Sequence, residues 1–401
     1  MDITLTSLET AHTELLQQQI MAEIASQGGK IPFSKYMEMA LYAPGMGYYS
    51  AGAHKLGSGG DFTTAPEISP LFGAAIVSTL LPILRGLQSQ GLPTQILEFG
   101  AGTGKLAESI LTRLHELGFA LDRYDIIEIS PDLAQRQVAR LQTLSQKLSL
   151  STQCHWLSAL PSQFKGIILA NEVMDAIPCD AIIYHDGFWH WHDVTTVNEK
   201  LNWIVGRPVQ QDLLPEALLT GHFSEGYLTE LHPQANAWAG QIAKQLHTGL
   251  FLTFDYGFPE TEYYHPQRST GTLMAHHRHH AIQDPFYLPG LCDITTHIAW
   301  TQIARSVLNK TVDDVYLSNQ AGYLLDAGIG DIALEIGDPS NPKTFLPISN
   351  ALQKLLSEAE MGELFKVFAF SKNLNAALPD VLHYTLEDLP GLRGRNRLSS
   401  C

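Results

Sequence analysis

The run LEFGAGTG, from Leu97 to Gly104, carries the sharpest chemical signal in the sequence. Glycines at 100, 102 and 104 permit a tight turn and close backbone approach to a ligand. The helix pattern that follows offers N–H groups with no intrahelical partner. Two cofactor classes use such a turn. The dinucleotide fingerprint GxGxxG sets a pyrophosphate on the helix N-terminus. Here Lys105 stands where that fingerprint needs its third glycine. An acid, Glu98, also precedes the first glycine by two positions. A carboxylate there suits a cationic amino group better than a pyrophosphate. The pattern therefore favours S-adenosylmethionine over NAD as cofactor.

Three further strand ends carry polar groups. In DIIEIS, Glu128 ends an apolar run and can hold two ribose hydroxyls with its two oxygens. A solvated strand-end carboxylate is the plainer alternative. In LANEVMDAIP, Asn171, Glu172 and Asp175 stand at the rim of another apolar run. A helical turn there would put Glu172 and Asp175 on one face. Such a pair could hold a cationic or amine nucleophile and accept its proton, or the residues could cap the turn. Asp255, in Asp255-Tyr256-Gly257, could cap the next segment or line the pocket. The histidines at 276, 277, 279 and 280 show no HExxH spacing, and adjacent histidines point apart, so no metal site is expected. His190 and His192 alternate with Trp189 and Trp191, as on a strand with one aromatic face. There is no GxSxG elbow and no GxxxxGK[ST] phosphate loop.

These groups need a scaffold that gathers strand ends. QILEFG (95–100), YDIIEIS (124–130), CHWL, GIILANE (166–172), LFLTFDYG (250–257) and FKVFAFSK (365–372) read as strands. KLAESILTRLHELG (105–118) and PDLAQRQVARLQTLSQKL (131–148) read as helices between them. This alternation implies a Rossmann-like α/β fold with a mostly parallel sheet, covered on both faces. Residues 1–90 read as an N-terminal extension, with helices over 7–27, 34–41 and 69–89 and a Gly-rich loop from Ala43 to Glu67. Thr6 and Glu9 could form a capping box. The sheet core takes 91–180, 230–257 and 360–375. Insertions at 181–229, with an antiparallel ribbon over 181–206, and at 258–350 follow strand C-terminal ends, where ligands of α/β sheets bind.

The composition sets outer bounds. With 25 basic and 41 acidic residues the net charge is −16, which disfavours a broad grip on nucleic acid and tolerates a basic partner. Four scattered cysteines form no CxxC pattern. No run of about 18 apolar residues stands out, so no membrane span is expected. The N-terminus lacks signal and transit patterns, which leads to the expectation of a cytoplasmic protein. A homo-oligomer is compatible with all of this.

Eight segments together resemble the MidA-like (DUF185) family of S-adenosylmethionine-dependent methyltransferases: YMEMALYAPGMGYYSAG, GDFTTAPEISPLFG, LEFGAGTGKLA, EISPDL, LANEVMDAIP, DYGFP, YYHPQRSTGTLMAHHRHH and DPFYLPGLCDIT. The likeness runs over roughly residues 20 to 375. It implies a seven-stranded class I methyltransferase core. It implies that Glu98, Gly100, Ala101, Gly102 and Gly104, with Glu128, Ile129 and Ser130, hold the donor. It implies that Asp61, Thr63 and Thr64, in GDFTTAPE, close over the donor site, and that Asn171, Glu172 and Asp175 face the acceptor and carry catalysis. A mitochondrial relative in the family methylates a protein arginine and assembles respiratory complex I. The resemblance thus implies a protein substrate with an exposed arginine. A partner-binding assembly protein without catalysis and a small-molecule methyltransferase are the alternatives.

Overall fold

The computed structural model describes residues 5–51, 64–278, 280–308, 310, 312–378 and 385–400. The chain divides into two compact units. One comprises Thr63–Val173, Trp238–Gly257 and Ile303–Cys401; the other comprises Met1–Phe62, Met174–Ala237 and Phe258–Gln302.

The first unit is built on one large sheet. Its strands are β1 (Gln95–Phe99), β2 (Arg123–Ile127), β3 (Gln153–Trp156), β4 (Phe164–Asn171), β5 (Leu246–Phe258), β6 (Asp314–Asn319) and β7 (Phe365–Lys372). They lie in the order β3-β2-β1-β4-β5-β7-β6. Seven strands lie along this path among the described residues and a short eighth pairs beside it, so the expected count of seven is not reproduced. Strands β1 to β5 pair parallel with one another, and β7 runs antiparallel to both β5 and β6. Ile167, Ile168, Leu169 and Ala170 are all buried, so β4 is apolar on both faces, as a central parallel strand must be.

Three helices position the donor-side residues: α1 (Pro70–Ser89), α2 (Lys105–Glu116) and α3 (Pro131–Leu148). By length and composition α1 could cross a membrane, but 72% of its most apolar window is buried within the protein. It acts here as a core helix, with Leu80, Ile83, Leu84 and Leu87 fully covered. Helix α3 starts at Pro131, whose fixed φ suits the first helical position, and the Ser130 side chain accepts from Leu133 N. The chain winds from β1 through β2 to β3 on one side, and β4 then returns to the other side of β1. The switch point falls between the carboxyl ends of β1 and β4, which is where such sheets open a ligand crevice.

Strand β7 and helix α3 match their expected spans. Residues 303–350, the second part of the expected 258–350 insertion, group instead with the large sheet, and β6 adds an edge strand to it. Val315, Tyr316, Leu317 and Ser318 of this short run are buried. Thr64 and the residues of α1, read as part of an extension, belong to the same unit.

The other unit holds a five-stranded antiparallel sheet made of Lys30–Ile31, Asp180–His185, Phe188–Val197, Lys200–Pro208 and Leu228–Leu231. The expected ribbon supplies its three longest strands, joined by two hairpins. Both tight turns have two left-handed residues, Asp186-Gly187 (φ 50 and 82) and Asn198-Glu199 (φ 48 and 60). That conformation matches the twist of paired strands. Helix Ser7–Ser26 carries the Thr6–Glu9 capping box. His192 stacks on Trp203 with ring centroids 4.4 Å apart, and burial pulls its pKa down to about 4, so it is a neutral packing group.

Candidate active site

The glycine turn leaves β1 at Phe99 and enters α2 at Lys105. Gly100, Gly102 and Gly104 have φ of 59, 54 and 81, a conformation that L-residues resist. Gly100 N donates to Ile127 O at 3.0 Å, which ties the turn to the end of β2. A Cβ on Gly100 would stand 3.0 Å from Val173 Cγ2, so the turn and the segment after β4 approach as closely as glycine allows. Ala101 is buried in the core beside the turn.

Helix α3 grips the far side of the turn. Gln137 Nε2 donates to Gly102 O at 2.9 Å, and Arg140 Nε donates to Thr103 O at 2.8 Å. A trans peptide points its N–H opposite its C=O. Engaging the Gly102 carbonyl therefore turns the Thr103 N–H away from α3. Arg140 is itself held by Glu108 at 2.5 Å. Sequence reading missed both Gln137 and Arg140. They sit three apart on an amphipathic helix, and only a packed structure distinguishes such residues from solvated ones.

Two carboxylates lie beside the turn. Glu98 is buried on β1, and its Oε2 accepts from the Tyr124 hydroxyl at 2.6 Å. Burial pushes the Glu98 carboxyl up to about 7, partly offset by that hydrogen bond and reinforced by Glu128. Glu128 follows β2. Its Oε1 accepts from Ser130 N and its Oε2 from Gln137 Nε2, both at 2.9 Å. Burial raises its pKa as well. Ile129, next to it, leaves 63% of its surface exposed, while Ser130 is buried as the α3 cap.

The segment ahead of α1 reaches the same turn. Thr64 precedes a short helical turn, Ala65–Ile68. Glu67 accepts from the Thr103 hydroxyl through Oε1 and pairs with Lys105 Nζ at 2.6 Å through Oε2. This is the described part of GDFTTAPE; Asp61 and Thr63 lie outside the described residues.

At the end of β4, Asn171 Nδ2 donates to Glu172 Oε1 at 3.0 Å. The Asn171 Oδ1 is buried and accepts no hydrogen bond among the described residues. Glu172 has φ +52, rare for a residue with a Cβ. Its N–H is fixed on Phe254 O at 2.9 Å, and the next N–H, of Val173, donates to Asp255 Oδ2 at 3.2 Å. Asp255 Oδ1 accepts from Tyr256 N at 2.8 Å, so this fully buried acid serves as a cap for the β4 exit. The expected helical turn carrying Glu172 and Asp175 on one face does not form. The left-handed Glu172 breaks it, and the chain turns one step later, with Ile177 N on Met174 O.

Asp175 belongs to the other compact unit. It is buried there, and its backbone carbonyl accepts from Thr296 N at 3.0 Å. In the same unit Tyr49 donates to Asp293, within 3.0 Å of Oδ1 and 2.9 Å of Oδ2, and stacks on Tyr42. The HPQRSTGTLM segment wraps a buried acid, Glu230. Glu230 accepts from Thr272 N, Thr272 Oγ1, Leu273 N and the Tyr263 hydroxyl at 2.8 to 3.1 Å. Gly271, at φ +71, is required because a Cβ would lie 2.2 Å from Glu230 Oε1. His277 Nδ1 bonds Leu291 O and His280 Nδ1 bonds Arg278 O. Among the described residues the histidines of 276–280 join no metal-sized group; the one such group is His185 and Asp186 at a hairpin turn with Glu225 from the loop before Leu228.

The donor-side residues fit S-adenosylmethionine. Left-handed glycines leave room at the backbone, and Glu128 keeps lone pairs on both oxygens for ribose hydroxyls. A buried carboxylate, and not an anion cradle, stands before the turn. The comparisons agree. The family model Methyltransf_28, described as S-adenosyl-L-methionine-dependent methyltransferase, matches residues 75–315. A COG1565 superfamily structure from Burkholderia thailandensis, bound to S-adenosyl-homocysteine, shares 43% identity at a TM-score of 0.86, covering 94% of this chain and 97% of that one. The Drosophila melanogaster protein arginine methyltransferase NDUFAF7 homolog, mitochondrial, is 28% identical over 92% of this chain and 87% of its own. The Homo sapiens protein arginine methyltransferase NDUFAF7, mitochondrial, is 27% identical over 88% and 82%. Both relatives' names carry the word mitochondrial, which overturns the expected cytoplasmic location.

Proposed function

The chain belongs to the family of S-adenosyl-L-methionine-dependent methyltransferases whose model it matches, and on that premise we propose that it methylates a nitrogen of a protein arginine. The observation that carries this reading is the Asn171–Glu172 pair on a strained strand end, packed against the donor turn through Val173. The names of the relatives support the same acceptor.

When bound, S-adenosyl-L-methionine supplies an electrophilic methyl group on a sulfonium. Glu98, Glu128 and the glycine turn hold and orient it, and Glu67 closes the turn from the N-terminal side. Glu172 accepts hydrogen bonds from one guanidinium nitrogen and draws positive charge toward it, which leaves the other nitrogen more nucleophilic. The Asn171 amide fixes the Glu172 carboxylate through Nδ2 and offers its buried Oδ1 to a second guanidinium N–H. A free guanidinium stays protonated, so the methylated nitrogen sheds its proton once the methyl has transferred, and the second oxygen of Glu172 would take it. Most of the rate gain comes from holding the nitrogen in line with the methyl.

A deletion strain complemented with the natural chain or with Glu172→Gln tests this. Proteome-wide mass spectrometry should find an arginine methylation present with the natural chain and absent with the variant. Identical arginine methylation in both strains would overturn the reading.

A further inference from the structure

The fully buried Gln137 makes three hydrogen bonds that use its whole amide. Its two N–H groups go to Gly102 O and Glu128 Oε2, and its Oε1 accepts from Trp156 Nε1, each at 2.9 Å. The amide cannot be turned over. The flipped form would set an oxygen against a carbonyl and a carboxylate, and an NH₂ against an indole N–H, which has no acceptor. One side chain thus joins the glycine turn, the acid after β2 and the end of β3.

We propose that Gln137 is the positioning residue of the donor site: it holds the Glu128 carboxylate in the one orientation that accepts both ribose hydroxyls. The inference rests on reading Glu128 as the ribose acid. Ser130 N anchors one oxygen from the backbone, and Gln137 anchors the other. With both oxygens pinned, the remaining lone pairs are fixed in direction before the ligand arrives. Trp156 sets the sense of the amide, so the indole belongs to the same unit. Without Gln137, Glu128 keeps only backbone contacts from Ser130 and Ile129 on its own flank, its Oε2 loses its side-chain anchor, and the Gly102 carbonyl loses its donor. The ordering cost then falls on ligand binding.

A merely structural glutamine would weaken all ligands alike, so the test is a difference between two ligands. Calorimetry measures S-adenosylhomocysteine and its 2′,3′-dideoxyribose analogue on the natural chain, on Glu128→Ala and on Gln137→Met. Gln137→Asn serves as a second variant that keeps a buried amide too short to reach both partners. Hydrogen bonds to a carboxylate are worth about 10-fold or more each, so the natural chain should prefer the ribose ligand by about 10- to 100-fold. That preference should collapse toward unity in Glu128→Ala and fall several-fold in both Gln137 variants, with thermal melts confirming that they fold. If the natural chain binds the two ligands equally, Glu128 does not read ribose and the proposal falls with it. If Glu128→Ala loses the preference while a folded Gln137 variant keeps it, the ribose reading stands and the role of Gln137 is overturned.

Discussion

The Tyr124 hydroxyl, on β2, donates to Glu98 Oε2 at 2.6 Å across the strand pair that carries the glycine turn. Burial raises the Glu98 carboxyl to about 7, against the lowering effect of that bond, so near neutrality this acid is half protonated. The folded pKa lies above the ordinary 4.5, so the unfolded chain releases this proton first. Stability from this group is therefore full below about pH 4.5 and is lost as pH rises through 7. The shift sets an upper scale of about 3 kcal/mol for that loss. Chemical unfolding at pH 5 and pH 8 should show a larger drop for the natural chain than for Glu98→Gln. Equal drops would mean that Glu98 is ionised in the folded protein.

The turn itself makes a second prediction. Gly100→Ala adds a Cβ 3.0 Å from Val173 Cγ2 to a residue at φ +59. The left-handed conformation alone costs about 1–2 kcal/mol for an L-residue. Urea unfolding should register at least that loss, and S-adenosylhomocysteine affinity should fall with it. An unchanged midpoint and affinity would show that the turn adapts freely.

Binding and chemistry should separate at Glu172. Its carboxylate is held by the Asn171 amide and its N–H by Phe254 O, so Glu172→Gln preserves the backbone anchor. The variant should keep donor affinity within a few-fold while kcat drops by about 100-fold or more, the usual range for a lost acid–base group. A fall in donor affinity with kcat retained would assign Glu172 to the donor instead.

The HPQRSTGTLM segment is scaffold around Glu230. Replacing Glu230 with alanine orphans the Thr272 and Leu273 N–H groups at once and leaves the Tyr263 and Thr272 hydroxyls only each other and their histidine neighbours. Each buried orphan costs about 1–3 kcal/mol, so a loss of 3 kcal/mol or more is expected on chemical unfolding. A variant within 1 kcal/mol of the natural chain would point to a role outside stability.

Much of this site was legible in the sequence because its elements obey local rules. The apolar run before Gly100 must be a buried strand, and Pro131 with Ser130 marks where α3 begins. Other features depend on what packs against what. Strand β6 is six residues long, too short for its periodicity to stand out among the helices around it. Gln137 looks like any polar residue on an amphipathic helix, and only burial against Gly102, Glu128 and Trp156 gives it meaning. The Glu172–Asp175 spacing suggested a helical face, yet a left-handed backbone at Glu172 redirects the chain, and nothing in the residue type announces that. The mitochondrial names of the relatives are likewise invisible to composition, since a net charge of −16 says nothing about a compartment.

The central claim is methyl transfer to protein arginine, and one labelling experiment meets it directly. The purified chain is incubated with methyl-labelled S-adenosyl-L-methionine and extract from a deletion strain, and the protein fraction is hydrolysed to amino acids. The account predicts that the label elutes as methylated arginine, and that none appears when Glu172→Gln replaces the natural chain. Label confined to small molecules, to another amino acid, or absent from both fractions would contradict it.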